Sequence, residues 1–259
     1  MNRDRVRQIA VVLSVLATIA VNGLANALPL NGLSTGEISD RFSVYFVPAG
    51  YVFSIWGLIY LGLAAYAIFQ ALPSQAENPA LRAIGWPFVA TCAANIAWLF
   101  LWHYEQFPLT LIAMFALLIL LIVIYLRLER AWGRQMTAAE KWAVKTPFSI
   151  YLGWITVATI ANVTSVLDFF GWNGGGIAEE IWLAIMLGAA VVIAALMAVT
   201  RRDAAYLLVL VWAFIGIALR HSDVAFVTTA SWLAAGIVLL LAGYSFFRRE
   251  RREVQPARL

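Results

Sequence analysis

Charge is scarce in this chain of 259 residues. Asp, Glu, Lys and Arg together make up 12% of it, about half of what a soluble domain carries. There is one cysteine, Cys92, inside an apolar run, which excludes an intrachain disulfide and a thiolate metal cluster. Lysine occurs only at Lys141 and Lys145, beside a hydrophobic run rather than within one, so a retinal Schiff base has no place to form. No midplane series of acids or histidines suits a proton or cation pump. No nucleophile–base pair, phosphate loop or metal-ligand spacing is found, so no catalytic residue and no metal ligand is assigned. The formal net charge of +4 does not point to nucleic acid, because the basic residues collect in short loops and at the chain ends.

Hydrophobic residues, by contrast, make up 63% of the chain, and tryptophan occurs 11 times. A bilayer-spanning helix needs about 20 apolar residues. Eight such runs are expected, over 8–28, 49–71, 83–102, 108–127, 146–168, 178–200, 204–219 and 225–247, the seventh being the shortest. The class is therefore all-α, a polytopic membrane helix bundle. Eight crossings place on one side Arg3, Arg5, Arg7, Arg82, Arg127, Arg130, Arg134, Lys141, Lys145, Arg201, Arg202, Arg248, Arg249, Arg251, Arg252 and Arg258. Only Arg41 and Arg220 fall on the other. This asymmetry makes both termini cytoplasmic and predicts a multi-pass protein of the cell membrane, in a bacterium the inner one. The first run, with Ala25-Asn26-Ala27 at its end, is too long for a signal-peptide core and reads as a retained helix. Its Asn22 and Asn26, four apart, share a face that should point into the bundle.

Three of the runs carry aromatic stripes at steps of three and four. The stretch Ile150–Asn162, IYLGWITVATIAN, aligns Tyr151, Trp154, Ala158, Asn162 and Ser165. Phe53, Trp56 and Tyr60 do the same in the second run, and Asn95, Trp98 and Trp102 in the third. An aromatic wall with a few polar groups suits a flat hydrophobic ligand. Small residues and amides at the same spacing also serve helix packing, with the amide bonding across to a neighbour. Both readings stay open on spacing alone. The longest outer connection, 29–48, holds Glu37, Asp40 and Arg41 and could be either a lid or a linker.

Trp56-Gly57…Tyr60, Asn95…Trp98 and Tyr151…Trp154…Ala158…Asn162 resemble the signature segments of the TspO/MBR family, the tryptophan-rich sensory proteins related to the mitochondrial translocator protein. The resemblance runs from the first span to about Asn173. It implies an antiparallel five-helix bundle with a cavity closed by the first loop. The ligands it implies are porphyrins, sterol-like lipids and flat aromatic drugs, so a tetrapyrrole is an expected ligand rather than an assigned cofactor. Carried over by position, the ligand-binding residues are Trp56, Tyr60, Asn95, Trp98, Tyr151, Trp154, Ala158 and Asn162. The chain departs from the family pattern at Val47-Pro48, at the Phe53-to-Trp56 interval, at Ile150 and at Val166.

The expected organisation is a five-helix bundle over 1–173, three further helices over 174–247 and a basic cytoplasmic tail over 248–259. The expected function is binding of a planar hydrophobic ligand for sensing or handling. Transport of small hydrophobic or amphipathic solutes, or light- or oxygen-dependent porphyrin modification, are the alternatives. Expected partners are membrane lipid and a hydrophobic small molecule, with no nucleic acid and a homodimer left open. His103 and His221 fall at the outer boundary, where a solvated side chain is expected ahead of an axial haem ligand. Val123-Ile-Tyr125-Leu-Arg127 matches the loose cholesterol pattern.

Overall fold

The computed structural model describes residues 3–132 and 136–253, with side chains up to Phe247. Arg134, Arg258 and the side chains of Arg248, Arg249, Arg251 and Arg252 lie outside the described residues, so the basic tail keeps only its helical backbone to Glu253. Eight long helices are present among the described residues: α1 (Arg3–Ala27), α2 (Ile55–Ala71), α3 (Pro79–His103), α4 (Phe107–Trp132), α5 (Thr146–Phe169), α6 (Glu179–Thr200), α7 (Ala204–Arg220) and α8 (Ala225–Glu253). Seven helical segments are long and apolar enough to cross a membrane; α7, with 17 residues, is the shorter exception. At 1.5 Å per residue α7 reaches about 25 Å, less than a hydrocarbon core of about 30 Å. Most of its residues are buried by protein, so its backbone is shielded without having to span lipid alone.

Local sequence explains where the helices begin. The Asn78 carboxamide accepts the Ala80 N–H at 3.0 Å just before Pro79, which fills a position that needs no donor. Asp203 caps α7 by accepting the Tyr206 N–H at 3.2 Å. Ahead of α5, Thr137 and Glu140 form a reciprocal capping box, and the backbone then passes through a π-helical turn at Lys141–Lys145.

α1, α3, α4, α5 and α2 each pack on the next in that cyclic order, closing a ring of five helices. α7 packs on the outside of this ring against α5, α8 packs on α7, and α6 packs on α8 and α7. Glycine permits the closest crossings. A Cβ on Gly153 would lie 3.0 Å from the Tyr206 carbonyl oxygen of α7, and one on Gly62 would lie 2.9 Å from Pro147 Cβ. Large apolar side chains such as Leu61, Ile68, Ile112 and Leu240 point outward, as expected of a surface solvated by lipid.

Basic side chains gather at the end of the bundle where α1, α3, α5 and α7 begin. There Arg82 pairs with Asp4 at 2.6 Å, Lys145 pairs with Glu129, and Arg201 lies 3.9 Å from Glu129. The opposite end is capped by the α1–α2 connection. It is ordered: Ser34 and Glu37 form a capping box on a short helix, Thr35–Ser39, and a 3₁₀ turn at Gly50–Ser54 leads into α2. Ile38, Phe42, Phe46 and Val47 of this roof are buried in the bundle mouth.

Candidate functional site beneath the roof

A cavity of about 40 Å³ lies under the roof. Phe53, Trp56, Trp98, Trp102 and Trp154 form its aromatic wall; Ala158, Ala161 and Asn162 of α5 line it, and Ser39 and Pro48 belong to the roof. The spacing that aligned these residues on three separate helices thus converges on one space. Trp98 and Trp102 stack with centroids 5.4 Å apart, and Phe53 and Trp56 meet Trp154 edge-on at 5.9 and 6.2 Å. Phe53 reaches the wall from the 3₁₀ turn ahead of α2.

Of the eight residues carried over from the family, Trp56, Trp98, Trp154, Ala158 and Asn162 line this cavity. Tyr60, Asn95 and Tyr151 stand outside the lining. Tyr60 stacks on the far side of Trp56 at 5.6 Å, and Tyr151 meets the same indole edge-on at 5.8 Å. They set the tilt of a wall residue without touching the space.

The two amides are engaged with neighbouring helices. Asn162 Oδ1 accepts the Trp98 indole N–H at 3.0 Å, and its Nδ2 donates to Thr110 Oγ1 at 2.8 Å, joining α5 to α3 and α4. Asn95 Oδ1 accepts from Asn22 Nδ2 at 2.8 Å, and its Nδ2 donates to the Tyr151 hydroxyl at 3.2 Å, joining α3 to α1 and α5. Asn22 therefore points inward as its spacing suggested. Asn26 sits at the exposed edge and accepts the Thr35 N–H of the roof at 3.4 Å. With both amides committed, a buried polar group of the wall that has no partner among the described residues is the indole N–H of Trp154. A buried donor left unpaired costs about 1–3 kcal/mol, so it favours an occupant that carries an acceptor.

His103 corrects its sequence reading. It is fully buried rather than solvated, because the roof folds over it. Nδ1 lies 3.1 Å from the Leu30 carbonyl, which can only accept, so Nδ1 carries the proton. Nε2 then accepts from Thr35 Oγ1 at 3.1 Å, which occupies the nitrogen a haem iron would need. Thr35 also receives the Trp102 indole N–H on its carbonyl at 3.2 Å. Trp102, the last residue of the third-run stripe, thus joins wall and roof. Nothing in the local sequence marks Thr35 or Thr110, whose partners His103, Trp102 and Asn162 lie more than 50 residues away.

Polar pairs and contacts from α7 also hold the roof, beside the ring contacts of Phe42 with Trp102 and Phe107. Arg41 pairs with Glu105 at 2.5 Å, and the Ser43 N–H reaches the Asp168 carboxylate at 3.3 Å. Arg220 of α7 pairs with Asp40, the Ala49 N–H donates to the Gly216 carbonyl at 3.1 Å, and Trp212 Nε1 donates to the Val52 carbonyl at 3.1 Å. α7, which lies outside the five-helix ring, is thereby a fastening for the roof.

A bundle of apolar helices with an aromatic cavity under an ordered connection defines a multi-pass integral membrane protein of the TspO type. A family model described as TSPO-like protein matches residues 8–244, and the chain belongs to that family. The match continues well past Asn173, where the residue-by-residue resemblance stopped, and takes in α6, α7 and most of α8. No curated protein and no solved structure matches the chain.

Proposed function

We propose that the protein binds a flat hydrophobic ligand bearing a hydrogen-bond acceptor in the aromatic cavity. The observation that carries this reading is the convergence of five aromatic side chains on one space whose wall keeps the buried Trp154 N–H unpaired. The volume of about 40 Å³ holds little more than a water molecule, whereas small-molecule sites usually measure about 300–1,000 Å³. On this reading the structure corresponds to a closed form, and a ligand takes its place as the roof shifts. Rings stack on Trp56, Trp98 and Trp154, and an acceptor meets Trp154 Nε1. The strong bias of Lys and Arg to the other end supports a cytoplasmic location for both termini, which places the roof on the outer side.

The test is titration of the full chain in neutral detergent with protoporphyrin IX and, separately, with 1-naphthol, following tryptophan quenching in the dark. Saturable one-site quenching by either probe, weakened by Trp154→Phe with unchanged helicity, is the expected result. Asn162→Ala should also weaken it, by freeing Trp98. Quenching that grows linearly with both probes and ignores Trp154→Phe would be partition into detergent, and the binding reading would be lost. Counterflow of a probe in liposomes would replace binding with transport.

A further inference from the structure

A second and larger concavity, about 740 Å³, shares no lining residue with the aromatic cavity. It opens at the basic end, at Lys141 and Arg202, and reaches inward to Ser54 and Ile55 at the start of α2, between α2, α5, α7 and the end of α8. Its walls are apolar: Ile55, Leu58, Ile150, Leu208, Val209 and Phe246. Leu58, Leu208 and Phe246 are each about half exposed or more, at 53%, 51% and 53%, so the groove opens sideways toward lipid. From Ala204, just past Arg202 at its mouth, to Trp212 at its inner end, α7 rises eight residues, or about 12 Å at 1.5 Å each. That is close to the depth of one leaflet, about half of a core of about 30 Å.

Charge at the mouth is uneven in a way that matters. The Asp203 carboxylate is satisfied internally: Ser149 Oγ donates at 2.6 Å, the Tyr125 hydroxyl at 2.8 Å, and Lys145 lies 3.9 Å away. Lys145 also pairs with Glu129. Lys141 and Arg202 make no ion pair among the described residues, although both line the groove. Trp142 stands beside them, 65% exposed, where indoles mark a membrane interface.

Arg202 occupies an unusual backbone. Its φ is 52°, in the left-handed region that disfavours residues with a Cβ. It follows the last turn of α6, with the Arg201 and Arg202 N–H groups both donating to the Met197 carbonyl at 3.0 and 2.9 Å. Glycine is the usual residue at this place in a helix end. An arginine held there keeps a guanidinium at the mouth against the local backbone preference.

We propose that this groove is a binding site for an anionic phospholipid of the leaflet at the basic end. Lys141 and Arg202 hold the phosphate, Trp142 lies at headgroup level, and one acyl chain fills the channel up to Trp212. An unpaired pair of cations above a one-leaflet apolar slot complements a headgroup of net negative charge; a zwitterionic lipid would fill the slot but leave the cations uncompensated.

The experiment is native mass spectrometry of the full chain in neutral detergent, titrated with dioleoyl phosphatidylglycerol or dioleoyl phosphatidylcholine. Wild type is compared with Lys141→Gln/Arg202→Gly and with Arg130→Gln, an exposed cation of the same end as charge control. Each basic residue near a membrane surface contributes about fivefold to anionic-lipid affinity. The double variant should therefore bind phosphatidylglycerol about 30-fold more weakly, with phosphatidylcholine binding unchanged. Arg130→Gln should keep the preference for the anionic lipid. Arg202→Gly alone relieves the backbone, so its melting temperature without lipid should equal or exceed wild type while its lipid preference falls. That combination separates a ligand role from a structural one. Equal binding of the two lipids by wild type, or an anionic preference retained by the double variant, overturns the proposal. Displacement of the lipid by an equal concentration of inorganic phosphate would mean a site for free anions and would overturn it too.

Discussion

Gly216 is where the fastening of the roof by α7 can be tested most directly. A Cβ there would lie 2.2 Å from Val52 Cγ2 and 3.1 Å from Pro48 Cβ, and the Gly216 carbonyl receives the Ala49 N–H. Gly216→Ala has two opposed effects. Within α7 it gains about 1 kcal/mol of helix propensity. Against the roof it overpacks, at about 1–3 kcal/mol, and if segment 48–52 lifts away the Ala49 hydrogen bond goes too, at about 0.5–1.5 kcal/mol. The sum leaves global stability nearly unchanged or lower by up to about 3 kcal/mol, while the penalty is confined to the roof. Hydrogen exchange by mass spectrometry should show faster exchange in a peptide covering 46–54, with α3 and α5 unaffected. Val52→Ala removes both γ-methyls and should restore slow exchange in the Gly216→Ala background, a positive coupling of about 1 kcal/mol or more. A higher melting temperature with unchanged exchange over 46–54 would show that the helix term acts alone and that α7 does not restrain the roof.

Asp203 should be the most sensitive polar residue at the basic end. Asp203→Ala removes the acceptor of Ser149, Tyr125 and the Tyr206 N–H and takes a counter-charge from buried Lys145; a loss of about 3–5 kcal/mol is expected in denaturant titration in micelles, with Asp203→Asn milder because it still caps α7. A loss under about 1 kcal/mol would contradict the network. His221, just beyond α7, meets Tyr45 of the roof edge-on at 5.1 Å, and burial, followed by the adjacent Arg220, lowers its pKa from 6.5. Its contribution is thus fully present above pH 6.5 and is lost as pH falls through the lowered folded value. Protection over 43–48, corrected for the pH dependence of intrinsic amide exchange, should fall on acidification below that point, and His221→Phe should remove the dependence.

Much of the fold was legible because lipid imposes simple rules. Every backbone polar group must be paired within a helix, so long apolar runs read as spans. Even the short α7 was visible as a run, although its burial by α5 and α8 was not. The aromatic stripes identified the wall, since spacing of three and four fixes a common face. Spacing could not say what the amides bond. Asn162 and Asn95 each find partners on two other helices, and those partners, Trp98, Thr110, Asn22 and Tyr151, are fixed only once the ring closes. The burial of His103 was hidden for the same reason, as its cover arrives from Thr35 in the preceding connection. Cavity volume lay furthest from reach, because it is the small remainder of many rotamers packing together.

That remainder decides what size of ligand the site favours. Ile38, Phe42, Phe46 and Val47 hold the roof down with almost all of their surface buried. At about 1.5–3 kcal/mol each, full undocking costs about 6–12 kcal/mol, an upper range because the exposed segment would still bury part of its surface elsewhere. The surface pair Arg41–Glu105 adds little. If only the cavity-lining roof residues, Ser39 and Pro48, move aside, none of this apolar anchorage is lost. If a larger ligand also unseats two of the four anchors, the competent state falls to about one part in 10² to 10⁴ and the apparent affinity falls by the same factor. A macrocycle must therefore rebury as much apolar surface as it displaces. A two-ring ligand lying between Trp56, Trp98 and Trp154 has no such demand. If the site binds as proposed, the closed packing would favour small flat ligands over porphyrins through the roof, since Asn162 ties the wall residue Trp98 to neighbouring helices.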